Sequence, residues 1–523
     1  MSAAYVTCIV VAVLVAHRLY KLLVPPKVND GGVPYIPAYK TLYWTLKPDP
    51  NRIDLCTNVD IPALSATGIA RSWIWGRWVY KINDADYARQ LFLRPAVFRK
   101  VEMQTSLPYT FRVAAAGANI MSENGDMFKA HRSVVMPAFR RAWPTAHFRT
   151  HLGKMESIIR SKSDGVDFLN VARRVALDIL GHVIMGIDFG ALDYTRSSLL
   201  NMCWDVVEAG VEPLYLLFPI LDRYPMGKRA ESFASMRRFH RFIDDAIRVK
   251  RAELAARDKL GDSERDKADL LTLMIEAYEH TKLHGAFDEN GKPLPSMTEE
   301  ELRNNTVIFF VAGHDGIAYS LCHLVTELAL HPEIQQHARE RVISVLGDDP
   351  DAFPTDAQLA ELADLDIIVK ESMRKSSSAS DVRRELSEPV NLGPYTLPKG
   401  AWVMVDLWAL QHNPKYYPEP EKFIPERFLE SAKAGSGTTH STHTPFSWAP
   451  FSEGGRKCMG HKFSMIAERI LLAILVHRFT WTLPADSPFH TRPRTNTMGL
   501  ILPIDLRVDF VARHTRPAAT AAA

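Results

Sequence analysis

The stretch SWAPFSEGGRKCMGHKF, residues 447–463, combines a glycine-rich turn with the start of an apolar helical pattern, FSMIAERILLAILVHRF over 463–479. Its fixed points are Phe451-x-x-Gly454-x-Arg456-x-Cys458-x-Gly460. The pattern places Cys458 near the expected helix start, where backbone N–H donors and the positive end of the helix dipole favour a thiolate. A thiolate serves as a nucleophile or as an axial iron ligand, and no His or Asn signature of a cysteine hydrolase accompanies it. Arg456 can pair with a carboxylate. Gly454 and Gly460 would let the backbone approach a planar ligand closely.

At all five marked positions this loop resembles the haem-binding signature of the cytochrome P-450 superfamily. The resemblance implies a mainly α fold with a smaller β portion, the cytochrome P-450 fold, with haem between a long central helix and the Cys-ligand loop. It implies haem b (iron protoporphyrin IX) as cofactor and Cys458 as its metal ligand, whose thiolate push favours O–O cleavage. Phe451, Gly454 and Gly460 would border the cofactor, and Arg456 would meet a propionate.

Other family marks follow in order. Glu371-Ser372-Met373-Arg374 matches the ExxR helix, whose Glu and Arg at i, i+3 share one face. Phe423-x-Pro425-Glu426-Arg427-Phe428 is similar to the PERF segment, where Arg427 would join Glu371 and Arg374 in a structural network. Phe128-x-x-His131-Arg132 resembles the WxxxR helix, with Phe128 where Trp is usual, and implies that Arg132 pairs with a propionate. Arg384 occupies a position that in the family often contacts the other propionate. The wording HNPKYYPEPEKFIPERF looks closest to fungal members, and the N-terminal features below to the microsomal branch.

The long central helix shows itself independently. Thr298 and Glu301 form a capping-box pattern ahead of EELRNNTVIFFVAGHDGIAYSLCHLVTELALH, which stops at His331-Pro332. Its length exceeds 30 residues and it is apolar on several sides, so it should cross the core. In its middle, Ala312-Gly313-His314-Asp315-Gly316 resembles the oxygen-binding centre Ala/Gly-Gly-x-Asp/Glu-Thr. Asp315 matches the acid of the family's acid–alcohol proton relay and is the candidate catalytic residue. Gly316 stands at the threonine position and has no hydroxyl. Water or a substrate hydroxyl in the groove would replace it, or the reaction depends less on that relay, or oxygen activation is impaired. The two glycines read either as close helix packing or as an open groove. A second departure follows Arg374, where Lys375 and SSSAS replace the usual Leu-x-Pro, making a more polar border to the substrate cavity.

Residues 3–16, AAYVTCIVVAVLVA, carry no charge, and Arg18, Lys21 and Lys27 follow them. This charge placement predicts a transmembrane anchor over 1–24 with a lumenal N-terminus and a cytosolic catalytic domain. The alternative, a cleaved signal peptide, lacks its basic leading region. A proline-containing hinge is expected over 25–45, a catalytic domain over 46–510 and a frayed tail over 511–523. Resemblance to the microsomal branch implies the endoplasmic reticulum membrane, crossed once.

The chain has 523 residues, 46% hydrophobic and 24% charged, which excludes disordered and collagen-like classes. A net charge of +3 argues against a nucleic-acid binder. Cys8, Cys56, Cys203 and Cys322 have no motif context and read as packing residues, and no CxxC pair suggests a zinc site or disulfide framework. Residues Val101–Ser122, Phe309–Ser320, 376–384 and Thr497–Leu500 would line the distal pocket, with the AAAGA of 114–118 giving small walls. Such an apolar cavity suits a lipophilic small molecule such as a terpenoid or polyketide of secondary metabolism. LYLLFPIL at 214–221 is either a membrane-dipping lip or core. With no flavin or nicotinamide fingerprint, electrons must come from a partner, by resemblance NADPH–cytochrome P-450 reductase. Arg456, Lys457, Lys462 and Arg469 could offer it a basic face. The leading expectation is a monooxygenase. The rivals are an atypical haem-thiolate enzyme (desaturase, oxidative ring former or peroxide user) and a non-catalytic haem-binding protein.

Overall fold

The structure, a computed structural model, describes residues 6–514 apart from 7–8, 10–11, 14–15, 18–19, 21–22, 48, 75–76, 103–108, 141–142, 163, 194–197, 211, 213, 216–217, 257–267, 430–443 and 497–499. The expected anchor falls largely outside the described residues. Those of it that are described, among them Val6, Ile9, Val13 and Tyr20, are exposed, and all but Val24 are helical. Residues 515–523 of the expected tail also lie outside, while Val511 and Ala512 pair within the last strand.

The helical body is built from α1 (Gly125–Phe139), α2 (Ala146–Arg160), α3 (Phe168–Leu180), α4 (Lys228–Ala255), α5 (Leu270–His284), α6 (Glu299–Leu330), α7 (Pro332–Leu346), α8 (Asp366–Lys375) and α9 (His461–Arg478). The capping box that opens α6 is present. Thr298 Oγ1 accepts the Glu301 N–H, and Glu301 Oε2 accepts the Thr298 N–H at 2.7 Å. The residue before Pro332 is pushed out of the helical region, so α6 stops at Leu330 and α7 begins a new axis. Apolar side chains on most faces of α6 are buried, Leu302, Phe310, Leu321 and Leu328 among them, so it is the central beam of the helical core.

The strands form a smaller lobe. β1 (Ile69–Ile74), β2 (Arg77–Ile82), β3 (Phe98–Arg99), β5 (Asp381–Leu386) and β6 (Trp402–Asp406) make a five-stranded sheet in the order β1-β2-β6-β5-β3. Only the β2–β6 pair is parallel, with Val79 opposite Trp402. β4 (Val166–Asp167), β7 (Phe479–Thr482) and β8 (Arg507–Ala512) form a second sheet in the order β7-β8-β4. The turn at Gly393-Pro394 closes a hairpin between Val390–Leu392 and Tyr395–Leu397. Ahead of β8 the apolar run makes only isolated bridges among the described residues, at Leu500 and Pro503, and Pro503 has no N–H to give a ladder. The lobe has its own core around Ile69, Phe92, Leu397 and Val405. The Cys458 loop lies where the two lobes meet: Phe451 and Met459 pack on the helical core, Ala449 on that of the sheet.

Candidate cofactor site

Cys458 sits in the turn before α9, not on it, since the helix begins at His461. The turn is held by the Cys458 N–H donating to the Phe451 carbonyl at 2.8 Å. Burial pushes the Cys458 thiol up, and the N–H groups of Gly460 and His461 and the charge of Lys457 pull it back. Gly454 adopts φ +70°, and a Cβ there would meet the Phe92 carbonyl oxygen at 2.3 Å. Glycine at this position lets the loop backbone pack against the sheet lobe. At Gly460 a Cβ would stand 3.9 Å from Cys458 Sγ, so glycine keeps the space beside the sulfur clear.

Cys458 opens into a cavity of about 390 Å³. Phe451 and Gly460 share this wall, while α6 contributes Phe309, Ala312, Gly313, Gly316 and Ser320. The two glycines of α6 divide the two expectations between them. A Cβ on Gly313 would lie 3.1 Å from Leu180 Cδ1 of α3, which is close packing, whereas Gly316 has nothing within 4 Å, which is open groove. The Ser378 hydroxyl donates to the Gly316 carbonyl at 3.0 Å, and Ser377 also lines the cavity, its buried Oγ without a hydrogen-bond partner. Residues 114–118 do not reach the cavity. A Cβ on Gly117 would strike the Asn304 side chain, so these small residues let their segment pack on α6. Of the Thr497–Leu500 turn, Leu500 lines the cavity and 497–499 lie outside the described residues.

Cations gather at one side. Arg132 and Arg456 line the cavity, joined by Lys100, which motif reading did not single out because no pattern surrounds it. Arg132 donates to the Gly455 carbonyl at 3.3 Å. Arg456 donates to the Glu123 carbonyl at 2.6 Å, and its guanidinium lies 3.3 Å from the Phe128 ring centroid, so Phe128 fills the aromatic role of its motif as a platform. Arg384, buried on β5, does not line the cavity; it donates to the Arg383 carbonyl at 2.7 Å. Among the described residues none of these four cations forms an ion pair with a carboxylate. Burial lowers Arg384 and Arg456 to about 10. Lys100 is held well below the usual lysine range by burial and by the charges of Arg384 and Arg456. A half-buried cationic cradle with no acid paired to it among the described residues fits a ligand that brings its own carboxylates.

Asp315 is buried but is not part of the cavity wall. Its carboxylate lies 3.4 Å from Arg173 Nε of α3 and 3.4 Å from His314 Nε2. Arg173 in turn donates to the Tyr319 hydroxyl at 2.7 Å. The ExxR network is complete: Arg374 Nε and Nη2 bond the two Glu371 oxygens at 2.8 Å each, and Arg427 Nε stands 3.4 Å from Glu371. The basic face is mostly consumed. Arg456 points inward, Lys457 pairs with Glu453 at 3.0 Å and Arg469 with Asp366 at 2.6 Å, leaving Lys462 exposed.

The family model described as Cytochrome P450 matches residues 67–508. The chain belongs to the cytochrome P450 family. This P450 is 25% identical to "Probable cytochrome P450 4d21" of Drosophila melanogaster over 440 residues, covering 78% of this chain and 80% of that one. It is 26% identical to "Cytochrome P450 4X1" of Homo sapiens, over 80% of this chain and 79% of the relative. The solved structure "Retinoic acid bound cyanobacterial CYP120A1" shares the fold, with a TM-score of 0.67 and 21% identity over 92% of this chain and 99% of that one. Family membership makes the P450 a haem-thiolate monooxygenase, an oxidoreductase dependent on haem iron. Family members draw electrons from redox partners and act on lipophilic substrates.

Proposed function

We propose that this P450 binds haem b through Cys458 and inserts one atom of dioxygen into a lipophilic small molecule, hydroxylating or epoxidising it. One observation carries the reading: a cysteine sulfur and three uncompensated cations open into the same, mostly apolar cavity. The haem, when bound, supplies the iron chemistry that activates dioxygen. Arg132, Arg456 and Lys100 bind and orient its carboxylates, with Arg384 adding charge from behind. Ile308, Phe309, Val183 and Ile184 exclude water and favour an apolar substrate. At Gly316 the wall lacks a side chain, and Ser378 Oγ puts an alcohol beside the gap, where it can hold a water and its proton. Asp315 acts from behind α6 and must leave Arg173 to face the cavity. The test is the reduced, carbon monoxide-treated spectrum. A red-shifted Soret band is expected, and Cys458→Ala must abolish it; an identical spectrum from the variant would refute the assignment.

Terpenoids or polyketides of secondary metabolism are the proposed substrates. The apolar walls support this class, and the cyanobacterial neighbour holds retinoic acid. NADPH–cytochrome P450 reductase is the proposed electron donor, with Lys462, exposed and without an ion pair among the described residues, on its docking face. Unchanged reductase-supported turnover in Lys462→Glu would count against that face. The proposed setting is the endoplasmic reticulum membrane, crossed once by residues 1–24, with the catalytic domain cytosolic. Support comes from the uncharged run 3–16 and from apolar residues left exposed, Tyr39, Tyr43 and Leu46 downstream of it and Leu214, Phe218 and Ile220 in the expected lip. Helix α6 is long and apolar enough to span a bilayer, but most of it is buried in the protein, as a core helix is. The fungal resemblance rests on the wording of 412–428 alone. Gly316 favours one second reading, an atypical oxidation without oxygen insertion; product free of label from isotopic dioxygen would select it.

A further inference from the structure

Away from the cavity, the junction of α2 and α3 gathers three histidines and two aspartates. His147 and His151 lie one turn apart on α2 and share a face. His182 stands in the π-helical turn Gly181–Met185 that follows α3, its Nε2 3.1 Å from His147 Nδ1 and its ring centroid 5.8 Å from that of His151. Asp178 comes from α3 and Asp188 from the loop after it. One ligand atom from each of His151, Asp178 and Asp188 lies within 4.8 Å of the other two.

His151 is 3% exposed, and its Nδ1 is buried with no hydrogen-bond partner, an arrangement that native proteins seldom leave unexplained. The carboxylates are already oriented. The two Asp178 oxygens accept the N–H groups of Ala191 and Leu192 at 2.8 and 2.9 Å, and Asp188 accepts that of Gly190 at 2.9 Å. Such outer hydrogen bonds are what fix metal-ligating carboxylates. Asp188 is exposed, which leaves an entry path.

We propose that His151, Asp178 and Asp188 bind a divalent transition-metal cation of the zinc class, with His182 and His147 adjoining. Mixed imidazole and carboxylate donors suit zinc, at about 2.0–2.2 Å from each ligand atom. Two carboxylates balance the cation's charge. Lys154 competes from 3.6 Å at Asp188, but its closer partner is Asp193 at 2.6 Å, with which it can remain. A bound cation would tie the loop after α3 to both helices and so raise thermal stability.

The test is calorimetric titration of the haem-loaded full chain with zinc chloride, with a melting curve at each end point. The wild type should show a saturable site and a zinc-dependent rise in Tm. His151→Ala and Asp188→Asn should each weaken that site by at least about 10-fold and cancel the rise. Asp188→Asn retains an acceptor for Gly190 on an exposed side chain, so it tests the site even if the buried alanine variant fails to fold. His284→Ala, which breaks the separate His280–His284 pair on α5 with ring centroids 4.7 Å apart, should change nothing. No saturable binding up to about 100 µM zinc would overturn the proposal. A site that Asp188→Asn retains and His284→Ala loses would do the same.

Discussion

Two clusters of charged side chains, one around Glu371 and Arg374 and one beside the cavity, are finished differently. In the Glu371–Arg374 cluster every guanidinium nitrogen of Arg374 is used: Nε and Nη2 donate to the carboxylate, Nη1 to the Gln411 carbonyl, and Nη2 also to the Lys422 carbonyl. In the Lys100, Arg132, Arg384 and Arg456 cluster the guanidinium groups reach only backbone carbonyls and an Asn124 oxygen, and no acid answers them. The first cluster is complete within the chain and holds the fold. The second is complete only with an outside anion. Burial alone does not separate a structural ion network from a binding site; charge balance does.

The largest effect should come from opening the closed cluster. Arg374→Ala leaves Glu371 buried without its partner, a loss of about 3–5 kcal/mol against a usual net stability of about 5–15 kcal/mol. Expression should yield no folded haem protein, read as absence of the reduced carbon monoxide band. The open cluster should respond with the opposite sign. Arg456→Met removes repulsion among cations, so the haem-free protein should melt no lower than the wild type, while haem titration should show affinity reduced roughly 10- to 100-fold. A haem-free Arg456→Met protein that melted far below the wild type would erase the distinction between the clusters.

Glu468 of α9 sharpens the contrast as the reverse case, an acid with the Ser320 hydroxyl beside it and no ion-pair partner among the described residues. Burial raises it to about 8. Between about pH 4.5 and 8 the unfolded chain gives up this proton and the folded chain keeps it, so its contribution to stability falls as pH rises through that window. Glu468→Gln stays neutral throughout. The Tm advantage of the variant should therefore grow from pH 5 to 8 and level off above; a constant difference would contradict the raised value. The smallest effect concerns the two glycines of α6. Gly316→Ala points into open space and should gain up to about 1 kcal/mol from helix propensity. Gly313→Ala must displace Leu180 and should show less gain or a loss, measured by denaturant titration of both variants.

The long helix and its limits, the ExxR network and the sulfur loop were legible in the sequence because each rests on local spacing: a capping box, an i, i+3 pair, a turn before an apolar run. What spacing could not reveal was the direction of side chains whose partners lie far along the chain. Asp315 occupies the expected position but turns to Arg173, 142 positions earlier in sequence. Lys100 enters the cationic cradle through the fold of the sheet lobe, with no motif to announce it. Gly454 was readable as a glycine that must be there, yet the backbone it accommodates belongs to Phe92. The basic face read from Arg456, Lys457, Lys462 and Arg469 was overstated, because Glu453, one turn before Lys457, and Asp366, far from Arg469 in sequence, pair with two of its members.

The contact between Gly454 and Phe92 has a mechanical consequence. A single methyl group would not fit between them, so the sulfur loop is registered against the sheet lobe as a key against its ward. Any sliding of one half of the molecule past the other is transmitted to position 458 within four residues, and the distance between thiolate and helix α6 is thereby set by parts of the chain more than 360 positions apart.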